Sequence, residues 1–142
     1  MSENPENRLR RAKLLAATIP IALANSELSF AEAAANELSD ISKDFGCQCF
    51  QAHALMGQGA VELERGNYKT ATPTLREAWS IFNGMGFSYN AACARILLAT
   101  AYLRAGDYED ARLQLGAACK TFSELGAKPD LEAASELINN LK

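Results

Sequence analysis

The sequence of 142 residues contains no apolar run near the roughly 18 residues that a membrane-spanning helix requires. It also lacks an excess of positive charge, since the formal net charge is −3, which argues against a nucleic-acid-binding face. No low-complexity segment or long linker divides it. With 49% hydrophobic and 22% charged residues, the chain is expected to form one globular domain with a substantial core.

The sequence also lacks the motifs of common catalytic and cofactor sites. Gly57 and Gly59 are not followed by the Lys-Ser or Lys-Thr of a phosphate loop, and we expect them to allow close helix–helix approach instead. Cys47-x-Cys49-x3-His53 is the only metal-like cluster, with no fourth ligand nearby. Helix positions two apart point about 200° from each other, so these thiols converge only if a helix starts after Cys49. We therefore expect no metal, no cofactor and no enzyme activity.

Two features of the sequence indicate the cellular compartment: the most apolar stretch and the cysteines. Residues 14–23 follow Arg11 and Lys13, the charge order of a signal peptide, but Pro20 interrupts them and no clean small-residue cleavage site follows. A cytoplasmic location is the simpler interpretation. In a reducing compartment we expect free thiols at all four cysteines, Cys47, Cys49, Cys93 and Cys119.

A repeat with a fixed period dominates what the sequence does contain. Gly46, Gly86 and Gly126 stand 40 residues apart, and Gly66-Asn67-Tyr68 returns as Gly106-Asp107-Tyr108. Ala71, Leu75, Ala78 and Phe82 return as Ala111, Leu115, Ala118 and Phe122. Self-similarity at such a period indicates stacked repeats, each burying its apolar face against its neighbours. We expect Phe82 and Leu115 to be buried in that core.

Each period is predicted to be a helix, a short turn and a second helix. The expected fold is all-α: a right-handed α-solenoid of about three helix-turn-helix repeats in a single domain of residues 1–142. The repeats cover residues 8–46, 47–86 and 87–126, and a C-terminal capping helix covers residues 129–141. In the degenerate first repeat the helices are expected over residues 8–24 and 30–45, with a bend at Pro20.

Local signals predict how the helices begin and end. Gly106 is expected to end a helix in the left-handed conformation, as Gly126 ends the next one. Asp107 is expected to cap the following helix, its carboxylate accepting from the first-turn amides. Pro73 leaves two alternatives: the helix kinks there, or it starts afresh with Thr72 as its cap.

The residues then support a resemblance to a known family. Leu98-Ala99-x2-Tyr102-x3-Gly106-Asp107-Tyr108-x2-Ala111-x3-Leu115-x2-Ala118 resembles the tetratricopeptide repeat, whose usual period is about 34. Phe82-Asn83-Gly84-Met85-Gly86 and Phe122-Ser123-Glu124-Leu125-Gly126 look like the longer repeats of bacterial signalling proteins, including LuxR-type regulators. The resemblance covers residues 8–142. It implies a binding module in signalling or transcription control, either a fragment of a larger regulator or a stand-alone adaptor.

The resemblance also implies which residues face the concave groove of the stack. The register of Gly66 and Gly106 assigns His53, Met56, Ala60, Leu63 and Glu64 from the second repeat and Cys93, Ile96, Thr100, Leu103 and Arg104 from the third. Lys13, Ala16, Leu23 and Ala24 come from the first. This mostly apolar surface suits an amphipathic helix or an extended peptide. Coverage by the chain's own termini or by a second copy, as in a homodimer, is weighed equally.

One basic cluster remains. Arg8, Arg10, Arg11 and Lys13 have no interleaved aromatic residue, so a solvated helix face is expected rather than contact with nucleic acid.

Overall fold

The computed structural model describes residues 4–141, and within that range the chain forms seven α-helices and no β-strand. The helices are α1 (Pro5–Ala24), α2 (Leu28–Phe45), α3 (Gln48–Glu64), α4 (Tyr68–Gly84), α5 (Ser88–Ala105), α6 (Tyr108–Leu125) and α7 (Lys128–Asn139).

Each helix packs against the next one along the chain, from α1 through α7. In addition α1 contacts α3, and α3 contacts α5, so the odd-numbered helices lie side by side. This pattern confirms the predicted all-α helical repeat.

The turns between helices use the expected glycines. Gly106 and Gly126 adopt left-handed backbone conformations, with φ of 85° and 72°, and end α5 and α6 as predicted. Asp107 does precede α6, but the prediction for its carboxylate is wrong because the side chain makes no capping hydrogen bond. Its ψ of 70° departs from the more extended geometry of most capping residues. The turn is held by the backbone instead, where the Asp107 amide donates to the Tyr102 carbonyl at 2.9 Å.

The first helix begins earlier than predicted, at Pro5 rather than at residue 8. The side chain of Asn4 accepts a hydrogen bond from the Glu6 amide at 3.0 Å, and Pro5 occupies the first turn. Asn followed by Pro is a recognisable helix start, and it accounts for the extra residues. In the following turn Ser26 takes a positive φ of 60°, although the other turns of the stack place glycine in this conformation.

Neither internal proline interrupts its helix. α4 runs through Pro73, so the alternative in which a helix starts afresh there is wrong. Thr72 is not a cap, because its hydroxyl donates to the Tyr68 carbonyl at 2.8 Å within the same helix. α1 likewise continues through Pro20.

The core lies between the helix pairs, along the predicted apolar stripes. Phe82 and Leu115 are both 0% exposed, as predicted from the repeat register. The two glycines inside α3 serve close approach, also as predicted. A β-carbon at Gly57 would lie 2.9 Å from Ile19 Cγ2, and one at Gly59 would lie 2.6 Å from Leu75 Cδ2. Either side chain would force α3 away from its neighbours.

Candidate functional site

An apolar opening lies where α1, α3 and α5 come together. We call it the central cavity, and its volume is about 390 Å³. Its walls are Ala16, Ile19, Pro20 and Leu23 of α1, His53, Met56, Gly57, Ala60, Leu63 and Glu64 of α3, and Leu97 and Thr100 of α5. Only His53, Glu64 and Thr100 bring polar side chains to this lining.

A second opening adjoins the first one towards α7. This C-terminal cavity has a volume of about 270 Å³ and is lined by Met56, Cys93, Ile96, Leu97, Phe122, Asp130, Ala133, Ala134 and Leu137. Met56 and Leu97 line both cavities, so the two openings are neighbours separated by those two side chains. Together the central and C-terminal cavities are called the groove below.

Most of the predicted groove residues line one of the two cavities. His53, Met56, Leu63, Glu64 and Thr100 lie at the central cavity, and Cys93 and Ile96 lie at the C-terminal cavity. Their accessibility differs, however. Leu63 is only 2% exposed and also belongs to the core with Leu75 and Leu98. It therefore forms part of the cavity wall, while Glu64 is open to solvent.

Two of the positions predicted from the second and third repeats line neither cavity. Leu103 is partly buried and packs against the core cluster of Ala99, Ala111 and Leu115. Arg104 donates a hydrogen bond from Nη1 to the backbone carbonyl of Leu63. In the first repeat Ala16 and Leu23 line the central cavity, whereas Lys13 and Ala24 are exposed and do not.

Sequence reasoning missed several lining residues, among them Ile19, Pro20 and Leu97. Leu97 follows Gly57 by one period of 40 residues, and both line the central cavity. The repeat therefore held the signal for this position. Pro20 has a further effect, because it has no N–H for the carbonyl of Ala16 four residues earlier. The Ala16 carbonyl therefore lacks its usual helical donor, and both residues line the central cavity.

The charge of the groove is negative. The only Asp, Glu, Lys or Arg residues in its lining are Glu64 at the central cavity and Asp130 at the C-terminal cavity. The Tyr89 hydroxyl donates to Asp130 at 3.1 Å. His53 adds no positive charge near neutral pH, because burial lowers its pKa below the ordinary value. Its ring packs edge-on against Phe82, with centroids 5.0 Å apart.

The four cysteines are all free. Burial raises the pKa of the Cys93 thiol, and burial together with the nearby Cys47 raises that of Cys49. α3 begins at Gln48, so the condition for Cys47 and Cys49 to converge is not met. Across residues 4–141 no group of three or more His, Cys, Asp or Glu side chains is arranged to hold a metal ion.

The basic cluster of α1 is used partly for packing. Arg8 pairs with Asp44 of α2 at 2.7 Å and lies over the Phe45 ring, 5.5 Å from its centroid. Arg11 forms an ion pair with Glu37, which also lies on α2. Arg10 and Lys13 are exposed. Two of the four charges thus join α1 to α2.

Residues 62–118 match the tetratricopeptide repeat family. The matched segment runs from the last turn of α3 to the middle of α6, so it contains the third-repeat wall of the groove. It supports a tetratricopeptide repeat protein, and such repeats generally mediate protein–protein interactions without catalysis. No curated protein and no solved structure matches the chain.

None of the helices formed by residues 4–141 combines the length and apolar character needed to cross a bilayer.

Proposed function

We propose that this protein is a non-enzymatic tetratricopeptide repeat module that binds a segment of another protein in the groove. The observation that carries the proposal is the pair of adjoining apolar cavities that share Met56 and Leu97. Peptide grooves of this kind take alternate apolar side chains as anchors. We place the module in the cytoplasm, on the input side of a bacterial signalling or transcription-control system, on the strength of its longer repeats.

The chemistry of the walls indicates what the bound segment contains. Two large apolar side chains fit, one in each cavity. A lysine or arginine next to these apolar anchors would complement the carboxylates of Glu64 and Asp130, because the lining of the groove contains no basic residue. The carbonyl of Ala16 offers an acceptor to an N–H of the segment. We therefore propose a basic, apolar peptide as the ligand.

A selection from a displayed library of random peptides tests this proposal. We expect the selected peptides to pair apolar anchors with Lys or Arg, and their affinity for the parent to fall as salt rises. Calorimetry should show at least tenfold weaker binding to Thr100→Trp, in which the indole fills the central cavity. Leu113→Trp is the control, because Leu113 is 70% exposed on α6 and lines neither cavity. Equal affinities for the two variants would exclude the central cavity as the binding site.

A structural role through self-association is the second candidate function. It is favoured by one specific observation, a pair of exposed aliphatic side chains on the outer side of α1.

A further inference from the structure

A polar pocket lies between α4, α5 and α6, apart from the groove. Its volume is about 290 Å³, and none of its lining residues lines the central or the C-terminal cavity. Trp79 of α4, the only tryptophan of the chain, lines it together with Arg95 of α5 and the exposed Lys120 and Glu124 of α6. We call it the Trp79 pocket. Since α4 belongs to the second repeat and α5 and α6 to the third, the pocket lies across the junction of two repeats.

Arg95 departs from the repeat pattern at this pocket. Counted back by one and by two periods of 40 residues, the same position holds Leu55 and Leu15. Leu55 is half-buried and Leu15 is buried, so the first two repeats fill this position with a packed leucine. Arg95 is half-buried as well, and burial lowers the pKa of its guanidinium because the charged form loses solvation. The two leucines indicate that packing does not require this cation.

Neutral neighbours hold the Arg95 guanidinium in place without neutralising its charge. Its central carbon lies 4.6 Å from the centroid of the Trp79 ring, and its Nη1 donates to Oε1 of Gln114 at 2.7 Å. Within residues 4–141 Arg95 forms no ion pair. The Nε–H and Nη2–H groups form a two-donor fork that matches the two oxygens of a carboxylate, and they have no acceptor in the same part of the chain. Trp79 and Gln114 therefore fix this fork before a ligand arrives.

Charge and size limit what the Trp79 pocket can hold. Its lining sets Arg95 and Lys120 against one carboxylate, that of Glu124, which leaves an excess of one positive charge. A carboxylate carries one negative charge, whereas a phosphate monoester carries about −1.5 to −2 near neutral pH. At roughly 30 Å³ for each water-sized group, a volume of about 290 Å³ holds about ten non-hydrogen atoms. A small carboxylic acid satisfies both limits.

We propose that the Trp79 pocket binds a small carboxylic acid, whose carboxylate accepts two hydrogen bonds from Nε and Nη2 of Arg95. Lys120 adds a second positive charge, and the remainder of the ligand lies between α4 and α6. The bound ligand contacts both the second and the third repeat, so binding stabilises the folded stack. This site is separate from the groove and from the peptide proposed to bind there.

A nitrogen-15 spectrum of the full chain tests the proposal, because its single indole N–H signal belongs to Trp79. Benzoate and phenylacetate are titrated at constant ionic strength, with benzamide and phenylacetamide as uncharged ligands of the same shape. We expect the carboxylates to shift the indole signal to saturation and the amides to bind at least tenfold more weakly, because they carry no charge. Phenyl phosphate should bind no more tightly than the carboxylates.

Substitution of Arg95 tests the assigned contact. Arg95→Leu introduces the residue of the two equivalent positions, so the fold should be retained, and circular dichroism checks this. Carboxylate binding should weaken at least tenfold, whereas Arg112→Leu, at an exposed arginine of α6 outside the pocket, should leave it unchanged. Arg95→Lys keeps the charge but removes the two-donor fork, so it should also weaken binding, and it carries the test if Arg95→Leu does not fold.

Several results would overturn the proposal. One is an indole signal that neither carboxylate shifts to saturation, and another is equal affinity for the carboxylates and their amides. An equal loss of binding in Arg95→Leu and Arg112→Leu would assign the effect to the overall charge of the chain, and full binding by Arg95→Lys would exclude the two-donor contact. Tighter binding of phenyl phosphate than of either carboxylate would exclude a carboxylic acid as the preferred ligand.

Discussion

Arg104 of α5 donates a hydrogen bond to the backbone carbonyl of Leu63, close to the end of α3. The bond joins the second and third repeats across the side of the stack that holds the groove. The Leu63 carbonyl also accepts from the Gly66 amide at 3.0 Å, and the helix dipole favours a cation at this end of α3. Both residues are groove positions by register, yet in the structure they bind each other. Arg104 therefore links the second and third repeats through this hydrogen bond.

Removal of the Arg104 side chain is expected to lower the stability of the fold more than the affinity for a peptide. Arg104→Ala should lower the free energy of unfolding by about 1 kcal/mol, the ordinary contribution of such a hydrogen bond. Peptide affinity should change little, because Arg104 lines neither cavity. Urea unfolding of this variant beside Arg112→Ala, an exposed arginine of α6, provides the comparison. An equal, negligible loss in both variants would mean that the bond does not hold the repeats together.

The glycines of α3 and α6 should respond in opposite directions to the same substitution. Gly59→Ala should destabilise the fold, because the new β-carbon would lie 2.6 Å from Leu75, a fully buried side chain. Gly116→Ala should stabilise it by up to about 1 kcal/mol, since alanine is the better helix former and no atom lies within 4 Å of the site. Thermal melts of the two variants check this, and a shift in the same direction for both would contradict the packing of α3 on α4.

A cavity in the middle of the stack should weaken the whole array. Phe82 is 0% exposed, so Phe82→Ala should cost about 3–5 kcal/mol. A domain of this kind has a total stability of roughly 5–15 kcal/mol, so much of the array should unfold on mild heating. Phe87→Ala removes the same side chain at a site that is 39% exposed and should cost far less. If the two melts coincide, the repeat register is wrong.

His53, the sole histidine, should make the free energy of unfolding depend on pH in a range where the carboxylates do not titrate. Burial lowers the pKa of His53 in the folded state, so below about pH 6.5 the unfolded chain binds a proton that the folded chain does not. Stability contributed by His53 is therefore fully present above that pH and is lost as the pH falls. Glu37, whose pKa is lowered chiefly by its hydrogen bond with Arg11, acts only below about pH 4.5.

Urea unfolding at pH 7.5 and pH 5.5 measures this effect. The parent should lose stability between the two values, and His53→Gln should lose clearly less. A decline of the same size in both proteins would assign the pH dependence to other groups.

The fold could be predicted from the sequence because packing positions recur with the period. Phe82 and Leu115 are buried where the register of Gly66 and Gly106 puts them. The failures are local. The carboxylate of Asp107 does not cap, because backbone bonds hold the turn, and Pro73 lies within a continuous helix. The residue type alone does not show whether an aspartate caps a helix or whether a proline lies inside one.

The groove could be predicted only in outline. Family positions place Met56 and Thr100 at its walls, but they also select Leu103, which lines neither cavity and packs against the core cluster of Ala99, Ala111 and Leu115. Pro20 stands 40 residues before Ala60, a predicted groove position, so the register also pointed to it, although the first-repeat assignment left it out. The place of Leu103 depends on packing between elements, and a single sequence does not contain such packing directly.

The most direct test of the groove uses the methionine methyl groups. The chain has three methionines, of which Met56 lines both cavities and Met85 lies 39% exposed in the turn after α4. A carbon-13 methyl spectrum, titrated with a basic apolar peptide from the library selection, reports both sites at once. We predict that the Met56 signal shifts to saturation while the Met85 signal stays in place. Saturable binding that moves Met85 and leaves Met56 unchanged would contradict the proposal that the groove is the binding site.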